Sequence, residues 1–468
     1  MTLVMKFGGT SVGSAKAMRE TAVLIQNTKK AWGQAVVVVS AMGSRPVKVT
    51  DLLLQAAHSA ANGDGETYQQ LAEQLRQIHF AAIDDLLTPD GERQQILAEN
   101  GRFIDKFIAL CQAIYVLGEL TPRALDTVGG MGEQMSARIL AAYLRQIGVP
   151  TQAIDATELI VTDSNFQNAT PQFAPTQEKV ESQIRPLLNQ GIVPIVTGFI
   201  AANAEGITTT LGRGGSDYTA AILGEALAAD EVWIWTDVDG VMTADPRLVA
   251  NARSIPQLSF REVSELAFYG AKVLHPKTMR PCVENNIPLR IKNTFNPAHL
   301  GTVIVPDSKN GKKGIKAVTA IKNLGLITVE GKGMMGIPGI AARTFTAVAQ
   351  DDQSVLLISQ ASSEQSICFA APDKATESII HSLEDAFKVE LARQDIDRIW
   401  AHEPVSIVTI VGAGMRGTPG IAGRIFTALG EQAVNAIAIA QGSSECSISI
   451  VVNDSETGVA VSQIHQLI

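Results

Sequence analysis

The sequence predicts an α/β protein: a parallel-rich sheet sandwiched by helices, followed by a tandem pair of smaller α+β modules. Three observations lead there. Apolar runs of strand length alternate with helical stretches over residues 1–40 and again from Thr151, the pattern of βαβ units whose crossover helices cover a sheet on both faces. Hydrophobic residues make up 46% of the 468 residues but aromatic ones only 5%, so Ala, Val, Ile and Leu carry the packing, as in covered sheets. Residues 327–372 also align with 408–453 at a constant offset of 81, without a gap and with 20 of 46 positions identical. Copies this similar are expected to pack as a pseudo-symmetric unit.

In chain order, Leu3–Phe7 reads as the first strand and runs into Gly8-Gly9. Adjacent glycines after a strand let the backbone approach a bulky anion, and Lys6 supplies a fixed cation just before the turn. The spacing is not that of a P-loop, which needs Gly-x-x-x-x-Gly-Lys-Ser/Thr. A helix follows over about Ser14–Thr28, then a strand at Ala35–Ser40. Helical patterning rich in Ala, Gln and Leu dominates from about Leu52 to Leu144, broken at Pro89-Asp90-Gly91 and Thr121-Pro122. Strands are then expected at Gln152–Asp155, Ile192–Thr197, Val232–Thr236 and Leu289–Lys292, and helices at Gln177–Asn189, Tyr218–Ala228 and Phe260–Tyr269. The polar stretch from Pro306 to Gly314 reads as a linker. The expected domains are therefore 1–305, a linker at 306–314, and two modules at 315–395 and 396–468 whose elements can interleave.

Composition excludes several function classes. Thirty-eight Lys and Arg against 47 Asp and Glu leave a net charge of −9 with no basic cluster, which argues against a nucleic-acid partner. The longest apolar runs, such as Ala35–Val39, are far too short to span a membrane. No basic-then-apolar signal segment opens the chain. Cys111, Cys282, Cys368 and Cys446 show no Cys-x-x-Cys spacing and read as small buried hydrophobes in a reducing compartment, which places the protein in the cytoplasm.

Each repeat reads strand, glycine turn, helix, a strand ending in Gln360 or Gln441, Ser-Ser-Glu, strand. Gly331, Gly333, Gly336 and Gly412, Gly414, Gly417 match the Gly-x-Gly-x-x-Gly dinucleotide fingerprint. A Rossmann site, however, needs an acidic residue at the end of the second strand to hold a ribose, and here that place holds a glutamine. Each copy is also too short for a doubly wound sheet. The turn still offers free N–H groups to a carboxylate, with Pro338 or Pro419 near the helix's first position, and a neutral Gln both donates and accepts. The pattern resembles the ACT domain, a module that binds amino acids at interfaces between copies.

The chemistry concentrates in Thr208-Thr209-Thr210-Leu211-Gly212-Arg213-Gly214-Gly215-Ser216-Asp217, ahead of the helix at Tyr218. Asp217 alone could be a helix cap, but a cap does not explain an arginine set among three glycines, which combines anion-binding backbone with a guanidinium. Thr236-Asp237-Val238-Asp239-Gly240 is an acidic turn without EF-hand ligand spacing.

Taken in order, Lys6-Phe7-Gly8-Gly9-Thr10-Ser11-Val12, Gly132-Glu133, Gly212 to Asp217, Trp235 to Val241 and Gly270 to Pro276, with the tandem repeat behind them, make the chain resemble the aspartate kinases over essentially its whole length. That family joins an amino-acid-kinase-fold catalytic domain to two ACT domains. The resemblance implies phosphorylation of the β-carboxylate of L-aspartate by ATP with Mg²⁺, at the head of lysine, threonine and methionine biosynthesis. It implies Lys6 with the Gly8-Gly9 backbone at the transferring phosphate, and Asp217 orienting Lys6. Arg213 is implied on a substrate carboxylate, Glu133 on the substrate ammonium, and Ser40, Thr50 and Ser216 at the substrate or phosphate. Nucleotide contacts are implied for Thr236, Asp237, Met242, Arg247, Lys272 and Val273, with no protein ligand for Mg²⁺, which the ATP phosphates hold. His275 reads as a structural loop residue.

The chain departs from the family at Met242, where Tyr is usual, and at Asp51, where Asn commonly follows Thr50. Its Gln-x-Ser-Ser-Glu repeats resemble the threonine-responsive branch, so threonine, or alternatively lysine, is expected near Gln360 and Gln441. That branch is often fused to homoserine dehydrogenase, and a chain stopping at Ile468 is expected to be monofunctional or part of such a fusion. A homodimer or homotetramer through the ACT domains is expected. The competing readings are another kinase of this fold, such as one acting on N-acetylglutamate, and a non-catalytic amino-acid sensor.

Overall fold

The computed structural model describes the chain except residues 45–46, 272–273, 307–313, 352 and 362–364. It resolves two compact units. One comprises Met1–Val241, Pro256–Phe260 and Leu274–Asp307, the other Met242–Ile255, Arg261–Val273 and Ser308–Ile468. This division differs from a single cut at 305, because 242–255 and 261–273 fold with the C-terminal part. The physical reason is apolar: Ala244 and Val249 share a core with Ile410, Met415, Ile425 and Val461. Of the expected linker, only Pro306 and Gly314 are among the described residues.

The first unit is built on an eight-stranded sheet in the order Gln257–Ser259, Thr302–Val305, Leu289–Asn293, Glu231–Thr236, Thr2–Phe7, Gln34–Val39, Val193–Thr197, Thr151–Ile154. Every neighbouring pair is parallel except Leu289–Asn293 with Thr302–Val305. Thr2–Phe7 is buried along its whole length, as the unbroken apolar run of a covered strand requires. Side chains alternate across it. Leu3, Met5 and Phe7 enter a core with Met18 and Ile25 of the helix Ala15–Trp32 and Met135 and Ile139 of the helix Met131–Gln146. Lys6, out of phase with them, points to the opposite face, which carries the helix Gly215–Ala226.

The helical region resolves into Val49–Ala61, Gly65–Leu86, Gly91–Leu117, Pro122–Gly129 and Met131–Gln146. Its two expected breaks are helix caps. The Asp90 side chain accepts from the Arg93 N–H at 3.0 Å, and Thr121 Oγ1 accepts from the Ala124 N–H at 3.2 Å with Pro122 opening the helix; each satisfies an orphan donor of a first turn.

The second unit contains a six-stranded sheet in the order Leu357–Gln360, Ser366–Pro372, Ala317–Glu330, Arg398–Val411, Ser447–Asn453, Ala438–Gln441, antiparallel throughout. The two long central strands are themselves copies at the 81-residue offset and pair about a pseudo-dyad, Ala317 opposite Val411 and Glu330 opposite Arg398. The structural repeat therefore begins ten residues before the alignment detects it, at 317 instead of 327. Each long strand crosses from one copy's half of the sheet into the other's. Gly339 and Gly420 cap the repeat helices in left-handed conformation, with φ of 96° and 85°. Pro338 and Pro419 thus stand two residues ahead of the helices and not at their first positions.

One buried group ties the first unit's stability to pH. His79, in Gly65–Leu86, is fully buried, its Nδ1 lies 2.8 Å from the Leu75 carbonyl oxygen, and burial pushes its pKa down from 6.5 to about 4. The unfolded chain takes up this proton first, so the histidine's contribution is intact above pH 6.5 and is lost as pH falls toward 4. Denaturant unfolding between pH 7.5 and 4.5 should lose about 3 kcal/mol through this residue, and His79→Leu should remove that part of the slope.

Candidate active site

The sheet's parallel strands end together, and the cleft lies beyond their C-terminal ends, as is general for open α/β sheets. It has a volume of about 890 Å³ and lies within the first unit. The structure brings eleven of the residues singled out above to its wall: Lys6, Gly8, Gly9, Ser40, Thr50, Glu133, Arg213, Ser216, Asp217, Thr236 and Asp237. They come from six separate segments of sequence.

At its centre Lys6 Nζ lies 2.6 Å from Asp217 Oδ1, with both side chains largely shielded from solvent. Asp217 is therefore not the helix cap. Gly214, left-handed at φ 73°, caps Gly215–Ala226, and Asp217 occupies the first turn, where a carboxylate suits the helix dipole. Beside the pair, the glycine turn differs from expectation in one respect. The Gly8 N–H is committed to the Trp235 carbonyl at 3.1 Å and cannot also serve a phosphate. Among the described residues the Gly9 and Thr10 amides have no acceptor within the protein. Gly9 is needed for packing, since a Cβ there would meet the Ala41 carbonyl at 3.2 Å and Gly43 Cα at 3.4 Å.

Ser40 Oγ donates to Ser216 Oγ at 3.0 Å, and Ser136 Oγ donates to the Ser40 carbonyl at 2.7 Å, linking the end of Gln34–Val39 to two helices. Glu133 stands in the first turn of Met131–Gln146, brought close by Gly132, whose Cβ would come within 2.7 Å of Ala41 Cβ. Its side chain is buried and Oε2 has no hydrogen-bond partner among the described residues. Burial pushes its pKa up to about 8 against the opposing pull of backbone N–H groups and Lys6. A buried acceptor left open in a cleft wall is costly unless a ligand satisfies it. Arg213 is exposed, lines the same cleft and makes no ion pair among the described residues.

Of the remaining expected residues, those described do not line this cleft. Met242 and Arg247 belong to the second unit, where Arg247 pairs with Asp245 at 2.5 Å. Lys272 and Val273 lie outside the described residues. His275 caps the helix Pro276–Glu284, Nδ1 accepting from the Lys277 N–H at 3.2 Å. Burial, Arg213 and Lys277 all lower its pKa, which favours the neutral ring that such a cap requires. In the first repeat Gln360 lines a separate cavity of about 310 Å³ with Gly336, Pro338, Gly339 and Ile340; its counterpart Gln441 ends an exposed strand. Ser362, Ser363 and Glu364 of that repeat lie outside the described residues. Cleft residues outside the quoted motifs include Lys48, His58, Asp126, Gln167 and Phe199. Among the described residues no group of three or more His, Cys, Asp or Glu could hold a metal ion, and no helix is long and apolar enough to cross a membrane.

Residues 1–293 match the amino acid kinase family, and 327–387 and 408–467 each match the ACT domain. Aspartokinase 3, chloroplastic, of Arabidopsis thaliana is 34% identical over 473 residues, covering 99% of this chain and 81% of that protein. The bifunctional aspartokinase/homoserine dehydrogenase 1, chloroplastic, of the same plant is 37% identical over 468 residues, 99% of this chain and 50% of that protein. This chain thus spans about half the length of its bifunctional relatives. E. coli aspartokinase III in complex with aspartate and ADP, in the R-state, superimposes with a TM-score of 0.80 at 30% identity over 100% of both chains; the same enzyme with lysine and aspartate, in the T-state, gives 0.80 at 31% over 99% of each.

Glu133 gives this geometry a measurable signature. Its folded pKa of about 8 lies above the ordinary 4.5, so the unfolded chain ionises first and the fold loses stability as pH rises from 4.5 to 8. Glu133→Gln should be the more stable protein at pH 8, on the order of 3–5 kcal/mol, with the gap closing toward pH 4.5 in denaturant titrations.

Proposed function

The chain belongs to the aspartokinase family of amino acid kinases, and on that premise we propose that it transfers the γ-phosphoryl group of ATP to the β-carboxylate of L-aspartate. The products are 4-phospho-L-aspartate and ADP, at the head of lysine, threonine and methionine biosynthesis. The observation that carries the reading is the set of open valences in one cleft: the Gly9 and Thr10 amides, the Arg213 guanidinium and the Glu133 Oε2. They answer a phosphate, a carboxylate and an ammonium group.

An aspartate side chain is already ionised near neutral pH, so the reaction needs no general base. A carboxylate oxygen attacks the γ-phosphorus, the bond to the β-bridging oxygen breaks, and ADP leaves with its electron pair. Catalysis is then a matter of position and charge. Lys6, aimed by Asp217, offsets the negative charge on the transferring group. Arg213 grips the substrate α-carboxylate in a bidentate fork and Glu133, ionised on binding, receives the ammonium. Ser40, Thr50 and Ser216 complete the substrate side. Thr236 and Asp237 hold the nucleotide at the cleft wall; Met242, Arg247, Lys272 and Val273 are assigned to it by the family resemblance alone. Mg²⁺ would arrive on the triphosphate and screen its charge, since Asp217 is taken by Lys6.

The repeats at 315–395 and 396–468 serve as the regulatory modules of the catalytic part of the chain, the expected 1–305 less the segments 242–255 and 261–273 that fold with the C-terminal unit. Threonine is the proposed effector, with lysine the alternative, at Gln360 and Gln441; the cavity at Gln360 suits a small amino acid. Assembly as a homodimer or homotetramer is supported by exposed Ile358 and Ile439, equivalent residues on the sheet's two outer strands. Four free cysteines fit a cytoplasmic location.

A coupled assay of ADP release should show turnover with L-aspartate and none with N-acetyl-L-glutamate. Lys6→Ala should lower kcat about 10²–10³-fold, whereas Arg213→Ala should raise the KM for aspartate roughly 10- to 100-fold with a smaller effect on kcat. Threonine should raise the Tm and inhibit. Lysine acting alone would reassign the effector, and a protein indifferent to both would end the regulatory reading.

A further inference from the structure

Asp126 is an acid at the cleft wall that the proposed chemistry does not use. It is 1% exposed, on the short helix Pro122–Gly129. Its carboxylate accepts from the Gln167 N–H through both oxygens, at 3.0 and 2.9 Å, from the Thr210 N–H at 3.0 Å and from Thr210 Oγ1 at 2.7 Å. Every one of these bonds runs to another segment of the cleft wall, so Asp126 is a tie between segments and not a ligand-binding group.

The two ends of this tie lead to the two sides of the proposed substrate clamp. Thr210 stands three residues before Arg213. Between them the chain is pinned again, because left-handed Gly212 leaves no room for a Cβ beside Asn168 Oδ1 and the Gln167 carbonyl, 2.9 and 3.1 Å from where it would lie. On the other side, Asp126 is seven residues before Glu133. That path is equally stiff: the Gly130 N–H donates to the Asp126 carbonyl at 3.2 Å, and a Cβ at Gly130 would lie 2.3 Å from Ile200 Cγ2. A buried carboxylate satisfied by four N–H and O–H contacts is a strong and directional junction.

Resting on the reading of the cleft as an aspartate site, we propose that Asp126 is a positioning residue that fixes the separation of Arg213 from Glu133. It thereby sets the length of dicarboxylic amino acid whose distal carboxylate reaches the transferring phosphoryl group. One methylene in a rigid site is worth roughly 10- to 200-fold in discrimination, and that selectivity requires a clamp that does not give.

Two variants test this. Asp126→Asn presents an NH₂ to a set of donors and breaks the junction at constant shape. Thr210→Val removes the Oγ1 contact and leaves Asp126 itself intact. Asp126→Asn should raise the KM for L-aspartate about tenfold and lower the aspartate-over-glutamate ratio of kcat/KM at least fivefold, with the KM for ATP within twofold of the parent. Thr210→Val should move the same two quantities by a smaller factor. Equal rises in both KM values, or unchanged discrimination in a folded Asp126→Asn, would overturn the assignment. Hydrogen exchange reads the junction without any substrate: the Gln167 and Thr210 amides should be protected in the parent and exposed in Asp126→Asn. Fast exchange of both in the parent refutes the tie itself, whereas absence of aspartate turnover with protected amides refutes the activity and not the junction.

Discussion

The ion pair between Lys6 and Asp217 is the contact around which the first unit's cleft is arranged. A lysine is admitted to the interior of a parallel strand because period-two alternation takes it off the apolar face shared by Leu3, Met5 and Phe7. It is tolerated there because the helix Gly215–Ala226 delivers a carboxylate from its first turn. Removing either partner leaves a shielded charge without its counterpart, which is far more costly than losing a surface pair. The left-handed glycines before that helix follow from the same requirement. Left-handed Gly212 and Gly214 form the turn that leads into that helix, and Asp217 in its first turn reaches Lys6 of the strand Thr2–Phe7.

Around that pair the cleft is assembled from groups held in uncomfortable states. Glu133 is buried, with one oxygen lacking a hydrogen-bond partner among the described residues and its proton retained well above the ordinary range. Arg213 has no anionic partner among the described residues. Neither arrangement helps the protein fold, and both would become favourable with the zwitterionic substrate proposed above. Stability is given up at the site, as is usual where affinity is stored.

Much of this was legible in the sequence because it is local. The strand ending in Phe7 and the glycine turn, the helix breaks at Asp90 and Thr121, and the 81-residue repeat are all written in neighbouring residues or fixed spacings. What escaped depends on contacts between distant segments. Asp126 sits on an eight-residue helix too short to show which face is inward, so nothing nearby marked it as buried. The commitment of the Gly8 amide to Trp235 could not be read from the turn, because Trp235 belongs to a strand more than two hundred residues away. The attachment of 242–255 to the C-terminal unit was likewise hidden, since Ala244 and Val249 look like ordinary loop residues until their partners at Met415 and Val461 are in place.

The long strands Ala317–Glu330 and Arg398–Val411 have an implication for how such a chain can evolve. Each belongs half to one repeat and half to the other, so the duplication that produced them did not yield two transferable parts. Excising either copy would leave the survivor with an unpaired strand edge where its missing half-sheet had been, an invitation to aggregate. Recombination can therefore cut before the pair or after it, but not through it. The tandem repeats are heritable as a single block, and divergence between the copies must proceed within a shared sheet, with each substitution on a central strand felt by both.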